Sequence, residues 1–230
     1  MNINLIKSII IVELVVLIFL VVQPVNRLSY VLIEIFIVLN ISALLLLLFW
    51  GRWRIISLLM VLLAIPFLPL LNQSKINMEK LTKIYVNNLK SYESTKYVWG
   101  GENSLGIDCS GLPRKSMRSA LFEYGYRYFN GKALNNGLWM IVNDASANEM
   151  LIGYSGLTVT DGLEFKINDL NKSAQDGDMA ITSNGVHCMV YLNPNVIIQA
   201  DPGRDMVVTD KIPYNDGWYN ENVKLIRWSF

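Results

Sequence analysis

An α+β domain, with a helix packed on an antiparallel sheet behind three membrane-spanning helices, is the architecture this 230-residue sequence predicts. Three observations lead there. Nearly all of the apolar excess in a chain that is 52% hydrophobic falls in the first 72 residues. A glycine-rich loop, Gly100 to Gly106, then runs into a helical stretch that opens at Asp108-Cys109-Ser110. From Asp178 onward the apolar period shortens to two, the alternation of strands, and helix first with sheet afterwards is the order of an α+β domain.

Residues 1–72 read as the anchor. Leu5 to Val22, Leu28 to Trp50 and Ile55 to Leu71 are apolar runs of about 17 to 23 residues, and ~20 residues of helix cross a bilayer core. The first run is longer than the apolar part of an ordinary secretory signal and lacks a small-x-small cleavage site before Gln23-Pro24, so it reads as a retained span. Lys7, Arg52 and Arg54 outweigh Arg27, which places the N-terminus and second linker in the cytoplasm and everything after Leu71 on the outer face of the membrane. Lipid bilayer is therefore one expected partner. Glu13 and Glu34 lie inside spans, where an ionisable group faces protein or water. They read as polar contacts between helices, as in a homo-oligomer or a membrane complex.

Residues 73–230 form the second domain, whose charge is nearly balanced. No basic cluster interleaved with aromatics marks a nucleic-acid surface, and Gly100-Gly101 and Gly106 are not followed by the Lys-Ser or Lys-Thr of a phosphate loop. No nucleic acid, metal or cofactor is expected. Met78 to Tyr92 has helical spacing at Leu81, Ile84, Tyr85 and Leu89. A second helix is predicted from about Ser110 to Tyr124, with Asp108 and Ser110 as capping types and Pro113 in its first turn. Residues 122–150, rich in aromatics, read either as an added helical segment that shapes a cleft or as more core. Five strands follow: Met179 to Thr182, Val186 to Leu192, Val196 to Ala200, Met206 to Thr209 and Val223 to Trp228.

Chemistry centres on Cys109, the point where loop becomes helix. Free N–H groups and the positive end of the helix dipole favour an anion there, so a thiolate with a lowered pKa is expected. A thiolate nucleophile needs a base, and the chain holds one histidine, His187. A hairpin with a three-residue loop at Asn193 to Asn195 pairs Leu192 with Val196, Met189 with Gln199 and His187 with Asp201. Side chains alternate, so His187, Gln199 and Asp201 share one face, while Cys188, Val190, Leu192, Val196, Ile198 and Ala200 share an apolar one. Geometry leaves Gln199 and Asp201 as candidates to orient the imidazole. Cys188 reads as a small core residue and not as the disulfide partner of Cys109.

Tyr97-x-x-Gly-Gly followed by Gly106-Ile-Asp-Cys-Ser-Gly-Leu112 resembles the nucleophile motif of NlpC-type cysteine peptidases, the papain-like endopeptidases of bacterial cell walls. Gly177-Asp178-Met-Ala, His187 in Val186-His-Cys-Met-Val-Tyr-Leu192, and Ile197-Ile-Gln199-Ala200 follow in the family's order, and the resemblance covers roughly residues 85 to 230. It implies a papain-like NlpC-type fold and hydrolysis of amide bonds in peptidoglycan stem peptides by Cys109 with His187 as base. The family's third polar residue sits where Gln199 sits, often as a second histidine. Tyr97 matches the tyrosine placed near the oxyanion, and Asp108 the acidic neighbour that, with Ser110, lines the substrate side. The alternative expectation is a non-catalytic membrane assembly component whose papain-like domain binds cell-wall peptide or a protein partner.

Overall fold

The computed structural model describes residues 72–169, 174–215 and 217–230. The three apolar runs, with Glu13 and Glu34, lie outside the described residues; among those described, no helix is long and apolar enough to cross a membrane.

Helix α1 (Met78–Lys90) begins where the Asn77 side chain accepts the Lys80 N–H, and it buries Leu81, Ile84, Tyr85 and Leu89, the predicted face. A two-strand ribbon, β1 (Glu102–Asn103) and β2 (Gly106–Ile107), leads into α2 (Gly111–Arg127). Helix α2 is buried nearly all round, because α1 and α3 (Gly131–Val142) pack on its sides. Its polar residues Arg114, Ser116 and Arg118 are therefore inside the protein along with Leu112, Met117 and Leu121. Asn130 caps α3 by accepting the Ala133 N–H, and a reciprocal Ser146–Glu149 capping box starts the short α4 (Ala147–Leu151).

Residues 122–150 hold the end of α2, all of α3 and the start of α4. Helices α3 and α4 add Ala133, Leu134, Met140, Ala147 and Met150 to the core.

The sheet has six strands in the order β3-β8-β4-β5-β6-β7, every neighbouring pair antiparallel. Three of the six, β4 (Met179–Thr182), β6 (Val196–Asp201) and β8 (Asn222–Trp228), lie within one residue of their predicted bounds, and β7 (Met206–Lys211) runs two residues further than predicted. The strand predicted from Val186 starts later, as β5 (Cys188–Asn193), so His187 immediately precedes it. β3 (Thr158–Lys166) was not expected; it is an edge strand exposed along most of its length, without the alternation that betrays a half-buried strand. A short helix, α5 (Gly217–Asn220), sits between β7 and β8.

In the β5–β6 hairpin the predicted register holds at Val190↔Ile198 and Tyr191↔Ile197, then shifts by one so that Asn193, not Leu192, pairs with Val196. The Asn193 side chain accepts the Asn195 N–H, drawing the turn into Pro194-Asn195 and leaving the extra residue as a bulge. Cys188, Val190, Leu192, Ile198 and Ala200 join the core facing α1 and α2, as expected. The opposite face is apolar too over much of its length: Met189, Tyr191 and Ile197 pack with Tyr219, Val223 and Leu225 in a second core.

Candidate active site

The loop from Tyr97 to Asp108 is shaped by close approach of backbone to backbone. A Cβ on Gly111 would lie 2.4 Å from the Gly101 carbonyl oxygen, and one on Gly101 would lie 2.5 Å from that of Gly106; no side chain fits either gap. Asp108 secures the junction. One carboxylate oxygen accepts the N–H groups of Ser110 and Gly111 and the Ser110 hydroxyl, and the other accepts the Gly100 N–H at 2.8 Å. Ser110 occupies the cap position without capping through its own side chain. The negative charge that a helix start favours is already supplied there by Asp108.

That arrangement corrects the expectation of a thiol made acidic by the helix. Cys109 is 7% exposed. Burial pushes its thiol up from 9.0 to about 11, with the Asp108 carboxylate adding to the rise, while the N–H groups of Cys188, Ser110 and Cys109 oppose it. The cap carboxylate takes up the dipole and repels a second anion beside it. Cys109 and Cys188 are both free thiols. The Cys109 Sγ lies 3.9 Å from the Val186 carbonyl oxygen, so the sulfur sits between the carbonyl before His187 and the N–H after it.

His187 is delivered by a tight turn from β4. The Thr182 hydroxyl oxygen accepts the Val186 and His187 N–H groups, and the Thr182 N–H donates to the His187 carbonyl at 3.0 Å. Gly185 completes the turn at φ +71°, packed against Asn148 of α4. The ring is 1% exposed. Its Nε2 lies 2.7 Å from Gln199 Oε1; an amide oxygen has no hydrogen to give, so Nε2–H donates and Nδ1 is the basic nitrogen. Trp218 of α5 stacks on the ring at 4.1 Å between centroids and 19° between planes. Asp201, the other candidate for orienting the imidazole, is engaged elsewhere: it accepts the Gly203 N–H at 2.8 Å and pairs with Arg204.

An open groove of about 550 Å³ runs over Cys109. One wall is Trp99, Gly100 and Asp108, another is Asp144 to Ala147 with Glu149, and Gly185 and Val186 border it. The segment after α3 therefore shapes the cleft. Tyr97 is half-buried, and burial above all pushes its hydroxyl up to about 12. At the groove floor Arg114 pairs with Glu102 at 2.6 Å and with Asp144, and its Nε donates to the Ser110 carbonyl at 3.2 Å; Arg118 pairs with Glu102 at 3.3 Å.

Thr182, Trp218, Arg114, Glu102 and Asp144 were not anticipated. Two arginines four apart, on one face of a helix, are a signal for the ion network; nothing in the local sequence links Trp218 to His187. Among the described residues no group of histidine, cysteine or carboxylate side chains could hold a metal ion.

Several solved structures align with the chain at low identity. A peptidoglycan hydrolase, RipB from Mycobacterium tuberculosis, aligns with 68% of this chain and 69% of its own at 16% identity and a TM-score of 0.41. An NlpC/P60 family protein from Bacillus cereus aligns with 64% of this chain at 15% identity and a TM-score of 0.40; this chain spans only 40% of its length. An N-acetylmuramoyl-L-alanine amidase from Bacteroides uniformis aligns with 65% of this chain and 99% of its own at 11% identity and a TM-score of 0.44. No curated protein sequence matches the chain. The profile of the NlpC/P60 family matches residues 94–227, which include Cys109, His187 and Gln199, and on that match the chain belongs to the NlpC/P60 family.

Proposed function

We propose that this chain is a cell-wall hydrolase that cuts amide bonds of peptidoglycan stem peptides by cysteine catalysis. The observation that carries the reading is the setting of Cys109, its sulfur held between the backbone groups on either side of His187, while that imidazole gives Nε2–H to Gln199. With the thiol raised to about 11 by burial, Cys109 rests protonated. The thiolate forms as the substrate carbonyl is attacked: the S–H proton passes to Nδ1, the S–C bond forms, and the resulting imidazolium returns that proton to the leaving amine. Water, deprotonated by the same nitrogen, then releases the acyl group. Tyr97 and the Cys109 N–H would stabilise the oxyanion. Asp108 and Ser110 line the groove where the amine end of a stem peptide would lie. The apolar runs of residues 5–71 would tether the domain on the outer face of the inner membrane, within reach of the polymer, with Glu13 and Glu34 available to a second copy or a membrane partner.

Digestion of defined muropeptides by the full-length chain beside Cys109→Ala and His187→Ala tests this. New amine termini with the wild type alone are expected; equal product with Cys109→Ala would overturn it. A second reading, a non-catalytic component that binds cell-wall peptide or a protein partner, draws on the raised thiol. It predicts muropeptide binding without cleavage by all three proteins.

A further inference from the structure

Around Gln199 lies a buried polar cluster, of which the reaction as proposed uses only the amide oxygen that faces His187. Gln199 is wholly buried. Its amide oxygen faces His187, and among the described residues its amide nitrogen has no hydrogen-bond partner. Gln199 stands opposite Val208, and Asp210 opposite Ile197, so Asp210 is the diagonal neighbour of Gln199 on the same face. Asp210 is itself fixed: Arg204 grips both of its oxygens, and Tyr219 donates to it at 2.9 Å. Its carboxyl is held below the ordinary range: burial acts to raise it, but Arg204, Tyr219 and the Gln199 amide together outweigh that. Gln199 and Asp210 are thus neighbours on one face, and the Gln199 amide helps to hold the Asp210 carboxyl ionised. Trp218, which stacks on His187, and Tyr219, which holds Asp210, are consecutive residues of α5.

A glutamine is an ambiguous partner for a histidine. With its oxygen toward the ring it requires Nε2–H and leaves Nδ1 to take the thiol proton; with its nitrogen toward the ring it requires Nδ1–H, and the base is lost. A carboxylate, once ionised, only accepts. We infer that Asp210, held by Arg204 and Tyr219, is a positioning residue that fixes the Gln199 amide with its oxygen toward His187 and so sets the ring tautomer that leaves Nδ1 basic. The inference rests on the proposed hydrolase reading for its purpose but not for its measurement. Asp201 belongs to the same cluster as the second partner of Arg204.

The chain has one histidine, so full-length protein labelled with nitrogen-15 at histidine reports a single imidazole by NMR. Above the imidazole titration, the wild type is expected to show the Nε2–H tautomer alone. Asp210→Asn is expected to add the Nδ1–H tautomer, because an asparagine can turn its own nitrogen toward Gln199. Muropeptide cleavage should fall about 10- to 100-fold in kcat with KM little changed, the range that loss of a hydrogen bond to a charged group spans. Tyr219→Phe, which removes one donor to Asp210 and keeps the packing, should move both readouts the same way by less, and it carries the test if Asp210→Asn does not fold. An unchanged tautomer in a folded Asp210→Asn or, failing that, in Tyr219→Phe would overturn the inference. A tautomer that responds in a protein that cleaves no muropeptide would leave the inference standing and remove the hydrolase reading instead.

Discussion

The two faces of the β5–β6 hairpin are built from different materials. Toward α2 it presents thiol and hydrocarbon only, Cys188, Val190, Leu192, Ile198 and Ala200 against Leu112 and Met117. On the other face, beyond Met189, Tyr191 and Ile197, it presents a chain of polar groups that begins at His187 and Gln199 and ends in the Asp210–Arg204–Asp201 ion cluster. Cys109, the proposed nucleophile, is raised by burial and by Asp108. His187, the proposed base, belongs to the second environment, where Gln199 accepts from the ring. On that proposal, activation depends on what lies behind the imidazole more than on the helix beneath the sulfur.

The largest effects test whether the two faces meet in one reaction. Cys109→Ala or His187→Ala should each reduce muropeptide cleavage by roughly 10⁴-fold or more, and the double variant should lose no more than either alone, since the two act as a unit. Additive losses would separate them. Next is the ion network that holds the groove floor on the nucleophile side. Arg114→Ala leaves Glu102 and Asp144 without their nearest guanidinium, and breaking a buried pair on one side costs about 3–5 kcal/mol; denaturant unfolding that shows less than about 1 kcal/mol would mean that Arg118 takes over. Third is the thiol itself. Raised from 9.0 to about 11, Cys109 at neutral pH should be alkylated about 100-fold more slowly than an unperturbed thiol, with the rate still climbing above pH 9. A plateau below pH 7 would show instead a resting thiolate–imidazolium pair. The same shift has a stability sign. Between about pH 9 and 11 the unfolded thiol has lost its proton and the folded one keeps it, so stability on this account falls as pH rises through that window.

How much was legible in the sequence follows the same division. The face toward α2 could be read from alternation alone, because burial on one side of a strand leaves a period of two, and the register at Val190 and Ile198 came from that pattern. Helix α1 was equally plain from Leu81, Ile84, Tyr85 and Leu89. The thiol's proton affinity was misjudged because propensity marks Asp108 as a cap without saying that its charge would stand where the thiolate's should. Gln199 could be narrowed to a pair with Asp201 by strand parity, but the choice between them depends on Arg204, which reaches Asp201 through a turn that no periodicity encodes. β3 escaped because an exposed edge strand carries no buried face to print a pattern. Trp218 escaped because its contact with His187 joins segments about thirty residues apart through tertiary packing alone.

That contact gives the smallest expected effect and the finest test of the comparison. Trp218 lies behind the imidazole, in the second core's company, and not among the residues that border the groove. Stacked rings are worth about 0.5–1.5 kcal/mol beyond the area they bury. Trp218→Leu keeps an apolar body against the ring and removes only its flat face, so kcat should fall by about 3- to 10-fold while KM stays near the wild-type value, and Trp218→Phe should recover most of the loss. If instead KM rises and kcat holds, Trp218 is reached by substrate and the groove extends around the histidine. If neither moves, the hydrogen bond to Gln199 alone fixes the plane of the ring, and the polar cluster behind it is sufficient to position the base.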